Sequence, residues 1–252
     1  MTGAPAGADL WLLEEAAIDR LLASSPLDEL LAPEERARHA RLRHPSVRLR
    51  FVGARLLSRH ALSAYADVPP SAWRFRLGPF GRPLLDPNPW NLAFNLAHAD
   101  GLVACVITRG RACGVDVERK PARPEALRLA GRWFSADERG YLEATPPEAR
   151  SDRFLEYWVL KEAYTKALGV GLTRPFNSFA FSCLPADTIA VSDSGAGEAE
   201  CARWQFELLR IGTEHVLAIA VRRMPADERR LPLRIVDLVE HRGARGVAAG
   251  AL

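Results

Sequence analysis

Residues 152–169, which read DRFLEYWVLKEAYTKALG, constrain the fold more than any other segment of this chain. Phe154, Trp158 and Ala163 help to line one apolar side of a helix, and Gly169 is placed where a helix commonly ends. Such a helix is stable only when its apolar side is buried against another layer of secondary structure. The segment therefore predicts a long, partly buried helix and requires a partner layer.

Strand-like runs on both sides of this helix can supply that layer. Two of them precede it, GLVACVI and ACGVDVE, and the TRGR between them predicts a hairpin turn. Three follow it: FNSFAFSC, WQFELLR and HVLAIAVRR. Other segments predict helices: LAPEERARHARLRH, HPSVRLRFVGARLLSRHALSAYA, and RWFSADERGYLEA with a capping box of Ser135 and Glu138. Helices alternating with groups of strands predict an α+β protein.

The composition indicates a soluble, cytoplasmic protein. Of 252 residues, 48% are hydrophobic and 26% charged, as is typical of globular domains. The chain begins without the features of a signal peptide, and no run approaches the roughly 20 apolar residues that a membrane helix needs. None of the four cysteines stands in a pair at metal-binding spacing, so we expect reduced, mostly buried thiols.

The net charge of +3 hides a strongly basic segment. Eight arginines and no acidic residue lie between Arg36 and Arg59. Such a run suits an anionic partner, which could be a nucleic acid, a polyphosphate ligand or an acidic protein. A solvated helix face in an arginine-rich protein explains any single one of these arginines equally well.

The segment GVDVE places two carboxylates side by side. On a strand, Val115 and Val117 point to one face, whereas Asp116 and Glu118 share the other. A cation between the two carboxylates relieves their repulsion, and hard oxygen ligands favour Mg²⁺, Mn²⁺ or Ca²⁺ over zinc. Taken alone, the pattern is also typical of a strand with one solvated face.

Two further segments carry candidate functional groups. In WVLKEAYTK, four-residue spacing puts Trp158, Glu162 and Lys166 on one helix face, with Lys161 at its edge. Alone, Glu162 and Lys166 are typical of a surface ion pair worth about 0.2–0.5 kcal/mol. His98 in FNLAHADGLVACVI is predicted in the loop before a buried strand, where ligands are often met, although a lone histidine is more often structural.

These segments together resemble the phosphopantetheinyl transferases. FNLAHA at residues 94–99, GVDVE at 114–118 and WVLKEAYTK at 158–166 occur in the family's order, and RWFSADE, GRP and the basic N-terminal part are also similar. The G-[IV]-D-[IV]-E strand and the W-x-x-K-E-A-x-x-K helix are intact. The resemblance runs from about residue 30 to about residue 222 and is closest to the Sfp-type group, which serves polyketide and nonribosomal peptide synthases.

The resemblance implies a reaction and a fold. The phosphopantetheine arm of coenzyme A moves to a serine of an acyl or peptidyl carrier protein, and adenosine 3′,5′-bisphosphate is released. The fold consists of two similar α/β lobes in one chain, a pseudo-dimer with the active site in the cleft between them. We accordingly expect an N-terminal lobe over 9–112 with basic elements that bind coenzyme A, a C-terminal lobe over 113–224, and a peripheral tail over 225–252.

The resemblance also assigns roles to individual residues. It implies that Asp116, Glu118 and Glu162 hold Mg²⁺ (Mn²⁺ being an alternative), that Glu162 is the candidate base, that Lys166 stabilises the pyrophosphate, and that Lys161 assists. The implied contacts to coenzyme A are Arg38, Arg50, Arg82, Pro83, His98, Asp116, Lys161 and Lys166. Two positions depart from the family pattern: Ala97 replaces a serine, and Glu35 stands where some members have a basic residue.

The implied partners are apo carrier proteins or carrier domains, with no nucleic acid, no membrane and a monomeric state. Two other functions stay open at this point. A nucleic-acid-binding module would explain residues 36–59 but leaves both acidic motifs without a role. A different Mg²⁺-dependent enzyme acting on a nucleotide would share the three carboxylates but not the carrier.

Overall fold

A computed structural model describes residues 5–183 and 188–249. The chain divides into two compact units. Unit 1 comprises Met1–Arg76, Pro83–Gly110 and Pro232–Leu252, and unit 2 comprises Leu77–Arg82 and Arg111–Leu231. Each unit is described by itself below.

Groups of helices and groups of strands follow one another along the described chain. The strands are β1 Ala8–Glu14, β2 Phe75–Leu77, β3 Pro83–Leu85, β4 Leu92–Ala99, β5 Leu102–Arg109, β6 Cys113–Arg119, β7 Phe179–Ser182, β8 Ala190–Asp193, β9 Trp204–Ile211, β10 His215–Arg222 and β11 Leu233–Asp237. The helices are α1 Ile18–Leu22, α2 Leu27–Leu30, α3 Pro33–Arg41, α4 Pro45–Leu62, α5 Pro124–Trp133, α6 Ala136–Ala144, α7 Arg150–Leu168, α8 Glu198–Cys201 and α9 Leu238–Ala249.

Unit 1 packs the long helix α4 against a four-stranded sheet in the order β11-β1-β5-β4. The central strand β5 is buried from Leu102 to Thr108, as its continuous apolar run LVACVI requires when both faces are covered. Strands β4 and β5 form a hairpin whose turn contains Gly101 at a positive φ of 93°. The core includes Trp11, Leu56 and Val103, each with no exposed surface.

The last strand of unit 1 comes from the predicted tail. β11 pairs in parallel with β1, with Leu10 opposite Ile235, and Leu238 at the start of α9 is fully buried. Residues 233–238 thus belong to the unit 1 sheet and core, whereas the sequence predicts a peripheral tail over 225–252. The physical reason is that a short half-buried strand needs only a neighbouring edge to pair with, which a local pattern cannot reveal. Residues 250–252 of that predicted tail lie outside the described residues.

Unit 2 packs α7 against the antiparallel sheet β6-β10-β9, and β7 and β8 form a separate two-stranded sheet. Asp116 lies opposite Ala218 and Glu118 opposite Val216. An aromatic core fills the space beneath α7, where Phe134 stacks on Phe154 with ring centroids 5.2 Å apart.

The predicted hairpin between the runs GLVACVI and ACGVDVE is wrong. β5 pairs with β4 and β1, whereas β6 pairs with β10. The turn after β5 therefore leads out of one sheet and into a different unit, since Gly110 is the last residue of that part of unit 1. Short turn sequences between two strand patterns do not reveal whether the strands pair.

The α+β class and the division into two lobes, each with a long helix on a sheet, are confirmed. The main boundary between the units falls between residues 110 and 111; unit 2 also includes 77–82 and ends at 231. Across the described ranges, no helix is both long and apolar enough to cross a membrane.

Candidate active site

The carboxylates of β6 lie where the strand pattern puts them. Val115 and Val117 are buried on one face, with 0% and 2% of their surface exposed. Asp116 and Glu118 follow the alternation onto the other face, and there Asp116 is 7% exposed and Glu118 half-buried. This second face is not a solvated one, because α7 lies close to the strand.

Gly114 allows the close approach of α7 to β6. A Cβ atom at this position would lie 2.1 Å from the carbonyl oxygen of Ala163 and 2.6 Å from the amide nitrogen of Ala167. The helix backbone therefore rests directly on the strand backbone, which only glycine permits. This contact brings the side chains of the last turns of α7 to the start of β6.

Lys166 links the helix to the strand. Its Nζ donates to Oδ1 of Asp116 at 2.6 Å and to the carbonyl oxygen of Val115 at 3.2 Å. The lysine is 27% exposed and the aspartate 10% as side chains, so the pair is largely shielded from water. A charge-assisted hydrogen bond in such a place is stronger than one on the surface.

The two glutamates of the cluster resist ionisation. Burial, followed by the charge of Asp116, raises the pKa of Glu162 to about 7, against the opposing effect of Lys166. Burial first, and then Asp116, also raises the pKa of Glu118 to about 7, with Glu162 adding to the rise. Lys166 and Trp158 lower the pKa of Glu118 and so act in the opposite direction. The three carboxylates therefore repel one another, and a bound cation would relieve the repulsion.

The donor chemistry of this cluster fits a hard divalent cation. Asp116, Glu118 and Glu162 present carboxylate oxygens, which Mg²⁺ and Mn²⁺ prefer. Within the described ranges, however, no three acidic, histidine or cysteine side chains are gathered tightly enough to form a ready metal site. The fit therefore rests on the kind of donor and on their mutual repulsion.

Lys161 does not join this cluster, although the sequence suggests a catalytic and coenzyme A-binding role. Its side chain has no exposed surface, and its Nζ lies 2.8 Å from Oε2 of Glu138. The same ammonium donates to the carbonyl oxygens of Phe176 and Phe179, both at 2.7 Å. Burial lowers the pKa of Lys161, while Glu138 opposes that effect. The three hydrogen bonds use all three N–H donors of the ammonium.

Glu138 connects Lys161 to the neighbouring elements. Its carboxylate accepts from the amide N–H of Ser135 at 2.9 Å and closes the predicted capping box of α6, which is confirmed. The other oxygen accepts from the amide N–H of Phe181 in β7 at 2.8 Å. One buried ion pair thus ties α6, α7 and β7 together.

Arg82 also lies at the junction of α7 and β6. Its Nη1 donates to the carbonyl oxygen of Lys166 at 2.7 Å, and its Nη2 donates to that of Cys113 at 3.1 Å. The two ends of the planar guanidinium therefore hold one carbonyl from the helix and one from the strand. The sequence predicts a contact to coenzyme A at this residue.

The other predicted coenzyme A contacts lie in unit 1. Arg38 is exposed, with its guanidinium carbon 5.7 Å from the ring centre of Phe51. Arg50 pairs with Glu15 at 2.6 Å and with Asp100. Pro83 begins β3 and helps to line a small cleft. His98 is exposed within β4, opposite Val103 in the next strand, and not in the predicted loop.

Glu35, one of the two departures from the family pattern, has partners within unit 1. It accepts from Nη2 of Arg59 at 2.7 Å and from Nε of Arg55 at 3.3 Å. It also accepts from the amide of Ala32 and so caps α3. Ala97, the other departure, is buried in β4 with 5% of its surface exposed.

Sequence reasoning missed three contributions to the site. Gly114 stands inside the recognised motif, and a glycine within a strand signals close backbone approach. Glu138 shows itself only as a helix cap, with no sign of its second role as the partner of Lys161. The effect of Trp158 on the pKa of Glu118 connects residues 40 apart in sequence, so no local pattern indicates it.

Comparison with known proteins identifies similar sequences. A family model described as the 4′-phosphopantetheinyl transferase superfamily matches residues 112–220. The 4′-phosphopantetheinyl transferase HetI of Nostoc sp. is 34% identical over 146 residues, which cover 57% of this chain and 62% of that protein. The 4′-phosphopantetheinyl transferase Sfp of Bacillus subtilis is 30% identical over 149 residues, which cover 59% of this chain and 65% of that protein.

A longer alignment extends over most of the chain. A phosphopantetheinyl transferase of Thraustochytrium sp. is 29% identical over 240 residues, which cover 88% of this chain and 81% of that protein. The chain thus spans less than two thirds of HetI and of Sfp and more of this third relative. The segment matched by the family model contains β6 and α7, and with them the acidic cluster.

Proposed function

We propose that this chain, whose residues 112–220 match the model of the 4′-phosphopantetheinyl transferase superfamily, is a transferase of that activity. It would move the phosphopantetheine arm of coenzyme A to a serine hydroxyl of an apo carrier protein or carrier domain and release adenosine 3′,5′-bisphosphate. Service to polyketide or nonribosomal peptide synthases belongs to the same proposal, as do the cytoplasmic location and the monomeric state.

One observation carries the proposal. The junction of β6 and α7 brings Lys166 within 2.6 Å of Asp116, and both lie in mutual electrostatic contact with Glu118 and Glu162. A pyrophosphate carries negative charge, so a site for it needs cationic groups beside groups that can hold a metal ion. Acidic oxygens and an ammonium at one helix–strand junction supply both.

Asp116, Glu118 and Glu162 are the residues that would hold Mg²⁺ or Mn²⁺. When bound, such an ion would neutralise charge on the pyrophosphate oxygens. Mg²⁺ commonly takes only one or two carboxylates and completes its shell with water and substrate phosphates. The three carboxylates of this cluster can supply the one or two protein ligands that Mg²⁺ needs.

The serine hydroxyl must lose its proton as its oxygen attacks the β-phosphorus. The new bond joins the serine oxygen to phosphorus, and the bond between that phosphorus and the bridging oxygen breaks. Glu162 is the candidate base because its half-buried carboxylate lies on the same face of α7 as Lys166. The proton would go to a carboxylate oxygen of Glu162, directly or through a water molecule.

Lys166 would stabilise the leaving group. Negative charge develops on the bridging oxygen as it leaves with the adenosine bisphosphate, and a fixed ammonium nearby lowers the cost of that charge. In the free protein this ammonium is held by Asp116 and the carbonyl of Val115, so it is oriented before substrate arrives. The coenzyme A contacts at Arg38, Arg50, Pro83 and His98 stay predictions.

The test is direct. The protein is incubated with Mg²⁺, coenzyme A and a panel of apo carrier domains, and mass spectrometry detects phosphopantetheine added to the carrier serine. We expect addition to at least one carrier, and its loss in Asp116→Asn. Asp137→Asn, which changes an exposed acid of α6, serves as the matched control and should retain activity.

Three outcomes would contradict the proposal. The first is the absence of transfer to every carrier. The second is hydrolysis of coenzyme A or nucleotides without a carrier, which would favour a different magnesium enzyme. The third is salt-sensitive binding of DNA without any turnover of coenzyme A, which would favour a nucleic-acid-binding module.

A further inference from the structure

The side chain of Arg82 is bound to the protein's own backbone at two points. Its guanidinium is half-buried and bridges the carbonyl oxygens of Lys166 in α7 and Cys113 in β6, at 2.7 and 3.1 Å. Both elements carry residues of the acidic cluster. One carbonyl lies three residues before Asp116, and the other belongs to Lys166, the partner of Asp116.

The helix end explains why a cation is stable there. α7 ends at Leu168, so the carbonyl of Lys166 is among the last four, which lack a partner farther along the helix. Gly169 satisfies this carbonyl only in part, through an N–H···O contact of 3.2 Å. A positive group at a helix C-terminus also interacts favourably with the helix dipole.

The bridge complements two other contacts at the same junction. Lys166 of α7 donates to Asp116 and to the carbonyl oxygen of Val115. Gly114 has no side chain, so the backbone of α7 can lie directly on the strand there. Arg82 adds a contact at Cys113, the first residue of β6. The helix is thus fastened to Cys113, Val115 and Asp116 of the strand, and its backbone rests on Gly114.

We propose that Arg82 is a positioning residue, which holds the last turn of α7 against β6 and so fixes Lys166 relative to Asp116. This assignment rests on the proposed transferase function, because it concerns the geometry of the same site. It differs from the sequence prediction that Arg82 contacts coenzyme A. A planar fork can hold two carbonyls at once with fixed geometry, which a lysine ammonium does not reproduce.

The experiment compares two donors, coenzyme A and 3′-dephospho-coenzyme A, which lacks the 3′-phosphate. If Arg82 positions the junction, Arg82→Met lowers kcat with both donors by the same factor, of about 10–100-fold, because misplacement of catalytic groups has effects of this size. KM for each donor should change little. Arg82→Lys should also lose activity, because it keeps the charge but not the fork.

Two controls accompany these variants. Arg203→Met removes an arginine whose side chain is 47% exposed in unit 2 and should leave both donors unaffected. Hydrogen exchange of peptides covering 160–170 reports whether Arg82 holds the end of α7. Arg82→Met should increase exchange there, and this measurement does not depend on activity.

Three results would overturn the proposal. A defect confined to coenzyme A, with normal use of the dephospho form, would make Arg82 a phosphate contact. A lower melting temperature with unchanged kcat and KM for both donors would leave only a stabilising role. Unchanged exchange at 160–170 would show that Arg82 does not hold the helix. Failure of the transferase function would appear separately, as absence of transfer by the wild-type protein.

Discussion

In unit 1, Glu35 lies between Arg55 and Arg59 of α4, so the acid is matched by two arginines. In unit 2, burial and the charge of Asp116 raise the pKa values of Glu118 and Glu162, and Lys166 offsets this only in part. Both units pack a long helix on a sheet, but Glu118 and Glu162 in the second lie beside another carboxylate and are offset by a single lysine. The comparison separates charges that stabilise a fold from charges that are available for chemistry.

The same comparison changes the meaning of the arginine-rich segment. Arg50, Arg55 and Arg59 are engaged with acids inside unit 1, so the number of arginines overstates the positive charge that a partner can meet. Arg38 is one that remains exposed. We therefore expect any anionic partner to depend on a subset of these residues.

The largest effect expected comes from breaking the buried ion pair of unit 2. Lys161→Met leaves Glu138 buried without its cation and should cost about 3–5 kcal/mol of the free energy of unfolding. Arg59→Met in unit 1 should cost less, because its partner Glu35 is 19% exposed and retains Arg55. Urea unfolding of both variants measures the difference.

A double variant controls this prediction. Glu138→Gln combined with Lys161→Met removes both charges and should recover part of the loss, since coupled partners are not additive. Equal losses for Lys161→Met and Arg59→Met would show that the two ion pairs are equivalent and that burial of Glu138 is unimportant.

The second prediction concerns the two glycines at the helix–sheet contacts. Gly114→Ala should destabilise unit 2 by about 3 kcal/mol and abolish transfer, because the new methyl group meets the backbone of α7. Gly53→Ala in unit 1 meets instead the tip of the Ile18 side chain at 2.6 Å, which can move, and it gains helix propensity of about 1 kcal/mol. Thermal unfolding and the carrier assay distinguish them, and a mild effect of Gly114→Ala would contradict the close approach.

The third prediction compares two buried tyrosines. The hydroxyl of Tyr65 donates to Asp9 at 2.5 Å and accepts from the indole of Trp11 at 2.8 Å. Asp9 keeps Arg234, but Tyr65→Phe removes two buried hydrogen bonds and should cost about 2 kcal/mol. Tyr164 donates to Asp193 at 3.1 Å, and Asp193 keeps Arg174.

Tyr164→Phe should therefore cost only about 1 kcal/mol. Denaturant unfolding of the two variants gives the comparison. The reverse order would mean that the hydroxyl of Tyr65 contributes little to unit 1.

The smallest effect is limited to acid pH. Burial, aided by the charge of Arg242, lowers the pKa of His60 in unit 1 from 6.5 to about 4. The unfolded chain therefore takes up a proton between these values that the folded unit excludes, and stability falls as the pH drops from about 6.5 towards 4. Above pH 7 His60 is neutral in both the folded and the unfolded chain, so it does not affect the free energy of unfolding.

His60→Gln should flatten this pH dependence of the melting temperature, which scanning calorimetry at pH 7 and pH 5 would measure. Glutamine can still meet Ser25, whose hydroxyl lies 3.3 Å from the imidazole. An equally steep decline in the variant would assign the acid sensitivity to other groups.

Local patterns predicted much of unit 2. The long helix ends before Gly169, which takes a positive φ of 72°, and β6 alternates as GVDVE indicates. Both features depend on neighbours in sequence, for which propensity and periodicity suffice. The candidate carboxylates follow from the same two elements.

Long-range pairing could not be predicted in this way. One of the two strands that pair with β1 is β11, which lies more than 200 residues later in the sequence. The ion-pair partner of Lys161 is Glu138, which lies on another helix. A lysine near a catalytic motif and a lysine in a buried ion pair have the same local sequence. Only the packing of α6 and β7 around α7 tells them apart.

The parallel pairing of β11 with β1 has a consequence for synthesis on the ribosome. All strands of the unit 2 sheet, β6, β9 and β10, are translated before residue 233, so that sheet can assemble first. The unit 1 sheet begins with β1 but receives its edge strand only when residues 233–237 emerge. Although domains generally fold from the N-terminus onwards, the first strand of this chain has β5 on one side early but gains its other neighbour only from the last described strand.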